Sequence, residues 1–119
     1  MDKSVWKYSL ECSIQALRNE IDPDLPVSLI LILLSIPEKG MISFREIEKR
    51  TQLSNSACSR SLSLLAGLSK RRLSGGFKLI EYFDDPVDRR QRYAKFTDEG
   101  LDTMNRIYSK VNEQTTFIK

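Results

Sequence analysis

Between Asp2 and Ile21 the apolar residues Trp6, Leu10, Ile14, Leu17 and Ile21 recur at intervals of three and four, which draws one stripe along a single helix. The stretch Asp22-Pro23-Asp24-Leu25-Pro26 interrupts that period, and Pro26 suits the first turn of a second helix running to about Ile36. From Val27 to Ile36 only Ser28 and Ser35 break an apolar run, which at about ten residues falls well short of the ~20 needed to cross a bilayer. It reads as a buried core helix, and no membrane partner is expected. Pro37-Glu38-Lys39-Gly40 signals a turn.

Ser43-Phe44-Arg45-Glu46 matches a capping box, so a helix should start at Ser43, bury Phe44, Ile47 and the aliphatic stem of Glu48, and end near Arg50. Thr51-Gln52-Leu53-Ser54 then offers a turn and a second cap serine. The next helix should run from Asn55 to about Gly67, with Ala57, Leu62, Leu64, Leu65 and Leu68 as its apolar content and Asn55, Ser56, Ser59, Arg60 and Ser63 as its polar content. Two short helices joined by about four residues form a helix-turn-helix, whose second helix enters the major groove of DNA. Short hydroxyls allow close approach to phosphates and bond either base edge, and Arg60 can take a guanine bidentately. An isolated surface helix whose serines face water would carry the same composition.

After Lys70-Arg71-Arg72, the pair Gly75-Gly76 marks a loop and Phe77 to Phe83 reads as a strand. Asp84-Asp85-Pro86-Val87-Asp88 is a turn tip. Arg89 to Phe96 then alternates Arg90, Arg92, Ala94 and Phe96 with Gln91, Tyr93 and Lys95, as the return strand of a hairpin would. Thr97-Asp98-Glu99 opens a last helix, with Leu101, Met104, Ile107, Tyr108 and Val111 on its apolar face and Gly100, a poor helix former, in its first turn. Helix, helix, helix-turn-helix, basic hairpin, helix is the order of a winged helix-turn-helix domain, a mainly α fold with a small β-hairpin (α+β).

At 119 residues, with 40% apolar and 29% charged side chains, the chain is expected to fold as one domain over residues 1–119. It contains no histidine, which removes the commonest general base, the commonest metal ligand and the serine-histidine and cysteine-histidine nucleophile pairs. Gly75-Gly76-Phe77 has no phosphate-loop pattern, so no enzyme, cofactor or metal is expected. The net charge of +3 hides an asymmetry: Ser43 to Thr97 holds 12 Lys/Arg against 6 Asp/Glu, and the remainder 7 against 10. A basic middle points to a polyanion, nucleic acid first, although a solvated lysine-rich face would also account for it. Cys12 and Cys58 match no metal spacing and no secretory signal opens the chain, so a cytoplasmic location with reduced, core-buried thiols is expected.

Leu53-Ser54-Asn55-Ser56-Ala57-Cys58-Ser59-Arg60-Ser61-Leu62-Ser63-Leu64-Leu65 resembles the recognition-helix segment of the MarR (multiple antibiotic resistance regulator) family. Asp85-Pro86-Val87-Asp88-Arg89-Arg90, followed by Phe96-Thr97-Asp98-Glu99-Gly100, resembles that family's wing signature. The likeness covers roughly Leu25 to Met104, and the wing is its specific part. It implies a homodimeric regulator of transcription on pseudo-palindromic double-stranded DNA, with a DNA-binding lobe at 25–97 and dimerisation helices at about 2–21 and 98–117. It also implies Arg90 in the minor groove, Asp88 as the acid that supports it, and Ser56, Ser59 and Arg60 facing the major groove. The chain departs from the family in an extra stretch, Ala66 to Gly76, whose Lys70, Arg71 and Arg72 would extend the helix or add a phosphate contact, and in being shorter than most members.

Arg89, Arg90 and Arg92, close together beyond a tight turn, could project as a basic finger into a narrow A·T-rich minor groove and read its shape. Their plainer role is surface pairing with Asp85 and Asp88, worth about 1 kcal/mol or less each. A second function class is a winged-helix module whose basic face serves a protein assembly, such as RNA polymerase or a replication complex, with weak DNA binding. Trp6, Tyr8 and Tyr108 would line an effector pocket between the terminal helices or, more simply, pack in the core or a dimer. The effector of such a pocket would be a small molecule.

Overall fold

The computed structural model describes residues 1–70, 73 and 78–116. Its elements are α1 (Lys3–Glu20), α2 (Val27–Ser35), β1 (Ile42–Ser43), α3 (Phe44–Thr51), α4 (Asn55–Leu65), β2 (Ile80–Asp84), β3 (Arg92–Phe96) and α5 (Asp98–Thr115). Four of the five helices start where a side-chain oxygen accepts an otherwise orphaned backbone N–H. Asp2 takes that of Ser4 at 2.7 Å, Ser43 that of Glu46 at 3.1 Å, Ser54 that of Ala57 at 3.2 Å and Thr97 that of Gly100 at 3.0 Å. Each such cap is worth about 1 kcal/mol. Pro26 stands at the cap of α2 itself, one position before the expected first turn.

Helix α3 ends at Thr51 because Gln52 turns left-handed, at φ 60°, and Leu53 and Ser54 complete the passage to α4. Helix α4 stops at Leu65, short of the expected Gly67, whose own φ of 72° closes the end. Leu68 lies beyond it and is exposed, so it does not belong to the apolar face.

The core gathers Ile32 and Leu33 of α2, Ile47 of α3, Leu62 and Leu65 of α4, and Leu79 and Ile80 at the start of the hairpin, all essentially inaccessible. The expectation of a wholly buried α2 is corrected on one side: Val27, Leu31 and Leu34 face outward. Helix α1 departs further. Only Leu17 and Ile21 of the expected stripe are buried, together with Cys12 and Ala16, while Trp6 and Leu10 are half exposed. The side of α1 that packs meets α5, where Glu20 holds Arg106 at 3.2 Å and Lys110 at 3.6 Å. Ile107 and Thr103 of α5 are buried, and Tyr108 points outward.

The sheet has three antiparallel strands in the order β1-β3-β2, with Ile42 opposite Ala94 and Ala94 opposite Tyr82. The two-residue β1 was not expected. The return strand begins at Arg92, so Arg89 and Arg90 belong to the turn, a correction to their placement in a strand from Arg89. Among the described residues no helix is long and apolar enough to cross a membrane.

Candidate nucleic-acid interface

The helical period decides which side chains α4 can offer. Burial of Cys58, Ser61, Leu62 and Leu65 turns Asn55, Ser56, Ser59 and Arg60 to the surface. Ser63 falls elsewhere: half buried, its hydroxyl lies 3.4 Å from that of Tyr82, so it joins α4 to the hairpin and leaves the exposed set. Asn55 donates through Nδ2 to Glu48 Oε1 at 2.7 Å, across the turn between α3 and α4. Ser56 Oγ stands 3.5 Å from the cap hydroxyl of Ser54.

The wing turn is built by Asp85. Its carboxylate accepts from the backbone N–H groups of Val87 at 2.8 Å and Asp88 at 3.2 Å and from the Tyr93 hydroxyl at 3.4 Å. Those bonds, the Val87 and Asp88 amides foremost, hold its pKa below the usual carboxylate range. Backbone bonds from Asp85 N to Gln91 O at 2.8 Å and from Gln91 N to Asp88 O at 2.9 Å close the loop. Asp88 Oδ1 accepts from Arg90 twice, from the backbone N at 3.1 Å and from Nε at 3.2 Å, yet the Arg90 side chain remains 93% exposed. Arg89 is exposed and has no partner among the described residues.

Arg92 behaves differently from its two neighbours. Its guanidinium lies 4.6 Å from the ring centroid of Tyr82 and 5.0 Å from that of Phe44, and Nε pairs with Asp84 at 3.3 Å. The two rings meet edge to face at 5.4 Å. Arg92 is therefore laid against the face of the hairpin at the rung next to the turn, opposite Asp84, and the three-arginine finger is corrected to two projecting arginines beyond an anchored third.

Helix α3, the start of α4 and the wing turn enclose a polar cleft of about 340 Å3, lined by Arg45, Glu48, Asn55, Ser59, Arg90 and Arg92. Arg60 stands on the other flank of α4, in a separate cleft with Ser28 of α2 and Ser69. Lys70 is exposed beyond α4, while Arg71 and Arg72 lie outside the described residues. Beneath α4, burial pushes the Cys58 thiol up to about 11, with the Glu48 charge adding to the shift, so it stays protonated at neutral pH. Among the described residues no group of three His, Cys, Asp or Glu side chains could hold a metal ion.

Between α1, α2 and α5 lies a more apolar groove of about 350 Å3 lined by Leu34, Met104 and Tyr108 among others. Trp6 and Tyr8, expected beside Tyr108, do not line it; Trp6 borders a shallow patch with Leu10 and Ile14 on α1 alone. Helical spacing expects only the aliphatic stem of Glu48 to matter, and neither Arg45 nor the Phe44–Tyr82 platform carries a local signal. The signal that could have found Glu48 is its spacing of one helical turn plus the loop before Asn55.

No protein-family model matches the sequence, and no curated protein matches it. Solved structures do. RV1404 from Mycobacterium tuberculosis superposes with a TM-score of 0.77 at 17% identity, over 97% of this chain and 72% of that one. YusO from Bacillus subtilis gives 0.68 at 16% identity, over 96% and 72%. Sco3205, a MarR family transcriptional regulator from Streptomyces coelicolor solved in complex with DNA, gives 0.62 at 18% identity, over 96% and 70%. The chain thus has the winged-helix α+β fold of the MarR-type regulators.

Proposed function

We propose that the chain is a sequence-specific double-stranded DNA-binding regulator of transcription, acting as a homodimer in the cytoplasm. The observation that carries this is the shared cleft: Asn55 and Ser59 of α4 and Arg90 of the wing line one surface, so a helix and a basic tip can engage one duplex together. Helix α4 enters the major groove with Asn55, Ser56, Ser59 and Arg60. Arg90, steadied by Asp88, and Arg89 reach the adjoining minor groove, and Lys70 supplies a phosphate contact. Residues 25–97 act as the DNA-binding lobe, and α1 and α5 pair with a second copy through the exposed Trp6, Leu10 and Ile14. The excess of positive charge between Ser43 and Thr97, and the DNA complex of Sco3205, support the same function.

Selection from a random duplex pool, with the mass of the free protein measured beside it, tests this. The expected product is a pseudo-palindrome whose half-sites lie ~34 Å apart, bound by a dimer with affinity that falls steeply as salt rises. A pool that returns no preferred sequence would overturn sequence-specific regulation and leave a winged-helix module for a protein assembly.

A further inference from the structure

The side chain of Asn55 is held in one orientation by a group that can only accept. Its amide donates to Glu48 Oε1 at 2.7 Å, and a carboxylate offers no proton, so the NH2 end must face Glu48. The reversed amide would set oxygen against oxygen. Once that bond is made, one N–H and the Oδ1 acceptor remain, a donor beside an acceptor on an exposed residue at the first position of α4. That pair is the complement of adenine's major-groove edge, where N7 accepts and the N6 amino group donates. Ser59, one turn further along the same flank, lines the same cleft.

Glu48 is the odd member of its surroundings. It lines a cleft with Arg45, Arg90 and Arg92, yet forms an ion pair with none of them among the described residues. A carboxylate left unpaired on a surface that meets phosphates weakens attraction to every duplex alike. What it provides in return is the fixed amide of Asn55.

We propose that Asn55 reads one adenine in the major groove and that Glu48 is the positioning residue that orients its amide through the Nδ2–Oε1 hydrogen bond. This rests on the DNA-binding function proposed above. The test uses the full chain, the duplex returned by selection, a set of its single-base-pair variants and an unrelated duplex, with affinities from fluorescence anisotropy and folding verified by circular dichroism. Asn55→Ala should erase discrimination at one A·T pair per half-site, by about tenfold or more, and leave the other positions unchanged. Asn55→Ser, which keeps a good residue for a helix start, should do the same. Glu48→Ala should flatten that same position. Glu48→Gln, whose amide can accept the same N–H but can also turn and donate, should keep part of the preference, more than Glu48→Ala does, while tightening binding to all duplexes, the unrelated one included.

If Glu48 serves only to tie α3 to α4, Glu48→Ala will lower affinity evenly and leave the preference profile intact, which overturns the positioning role. If the wild type is selective and both Asn55 variants keep its full profile, the adenine contact is overturned and the DNA-binding function stands. A wild type with no preference among duplexes overturns both.

Discussion

A β-carbon on Gly100 would run into the carbonyl oxygen of Leu79, so the first turn of α5 and the lead-in to β2 approach more closely than any side chain permits. The same Leu79 carbonyl accepts from Thr97 N at 3.1 Å, and Leu79 N donates to Leu65 O at 2.9 Å. Leu79 is thereby the point at which α4, the hairpin and α5 are joined. A glycine that weakens the helix locally is required by the packing.

Replacing it is therefore costly. Gly100→Ala should destabilise the fold by about 3 kcal/mol through this overlap, despite alanine's better helix propensity. Urea titration should show a lower midpoint with an unchanged slope; a midpoint equal to or above that of the wild type would mean that the approach relaxes freely.

The two projecting arginines and Arg60 should divide the reading of DNA. Arg90→Ala should weaken binding about tenfold, most at sites flanked by A·T pairs, because it loses shape readout and one released counterion. Arg60→Ala should relax choice at a single base position by about 1–3 kcal/mol. Mobility-shift titrations against a panel of flanks and point variants separate the two, and unaltered binding in both variants would refute the division of labour.

Arg92 should matter to the wing rather than to DNA directly. Arg92→Lys keeps the charge but loses the flat guanidinium over Tyr82 and Phe44, at a cost of about 1 kcal/mol. The expected readout is a lower melting temperature with a smaller loss of DNA affinity than Arg90→Ala produces; the opposite order would place Arg92 at the phosphates.

Acid should loosen the wing. Asp85 is held below its unfolded pKa, so its contribution is present above about pH 4, where the unfolded carboxyl is ionised, and is lost as pH falls through the lower folded value. The amide resonances of Val87 and Asp88 should shift together over that acid range, and Asp85→Asn should abolish the transition. Resonances that titrate above pH 5 would point to another group.

Self-association should depend on the uncovered part of α1. Trp6→Glu combined with Ile14→Glu should convert the proposed dimer to monomer in sedimentation velocity while leaving helix content unchanged, because both residues are exposed within the single chain. A dimer that survives the double change would move the interface elsewhere.

Much of the fold could be read from the residues because its signals act within one turn. The serines at 43 and 54 and Thr97 each cap the helix that starts at the next residue by accepting an N–H three positions ahead, and those helices begin where expected. The wing acids were legible too, although their parts differ: Asp85 shapes the turn and Asp88 holds Arg90. Strand β1 was illegible because two residues show no alternation, and they pair with β3 some fifty positions away. The apolar stripe of α1 was visible, but its spacing could not say which residues would meet α5 and which would remain open.

Helix order, caps, the basic middle of the chain and the absence of histidine follow from the order of residues, since each is local or a matter of composition. Tertiary structure alone decided that Arg92 lies on Phe44 and Tyr82, that Ser63 turns to the hairpin, that Glu48 holds Asn55 and that Gly100 admits Leu79. Those contacts depend on how separate elements rotate and pack against one another, and hydrophobic periodicity specifies the buried face of an element without naming what that face will touch.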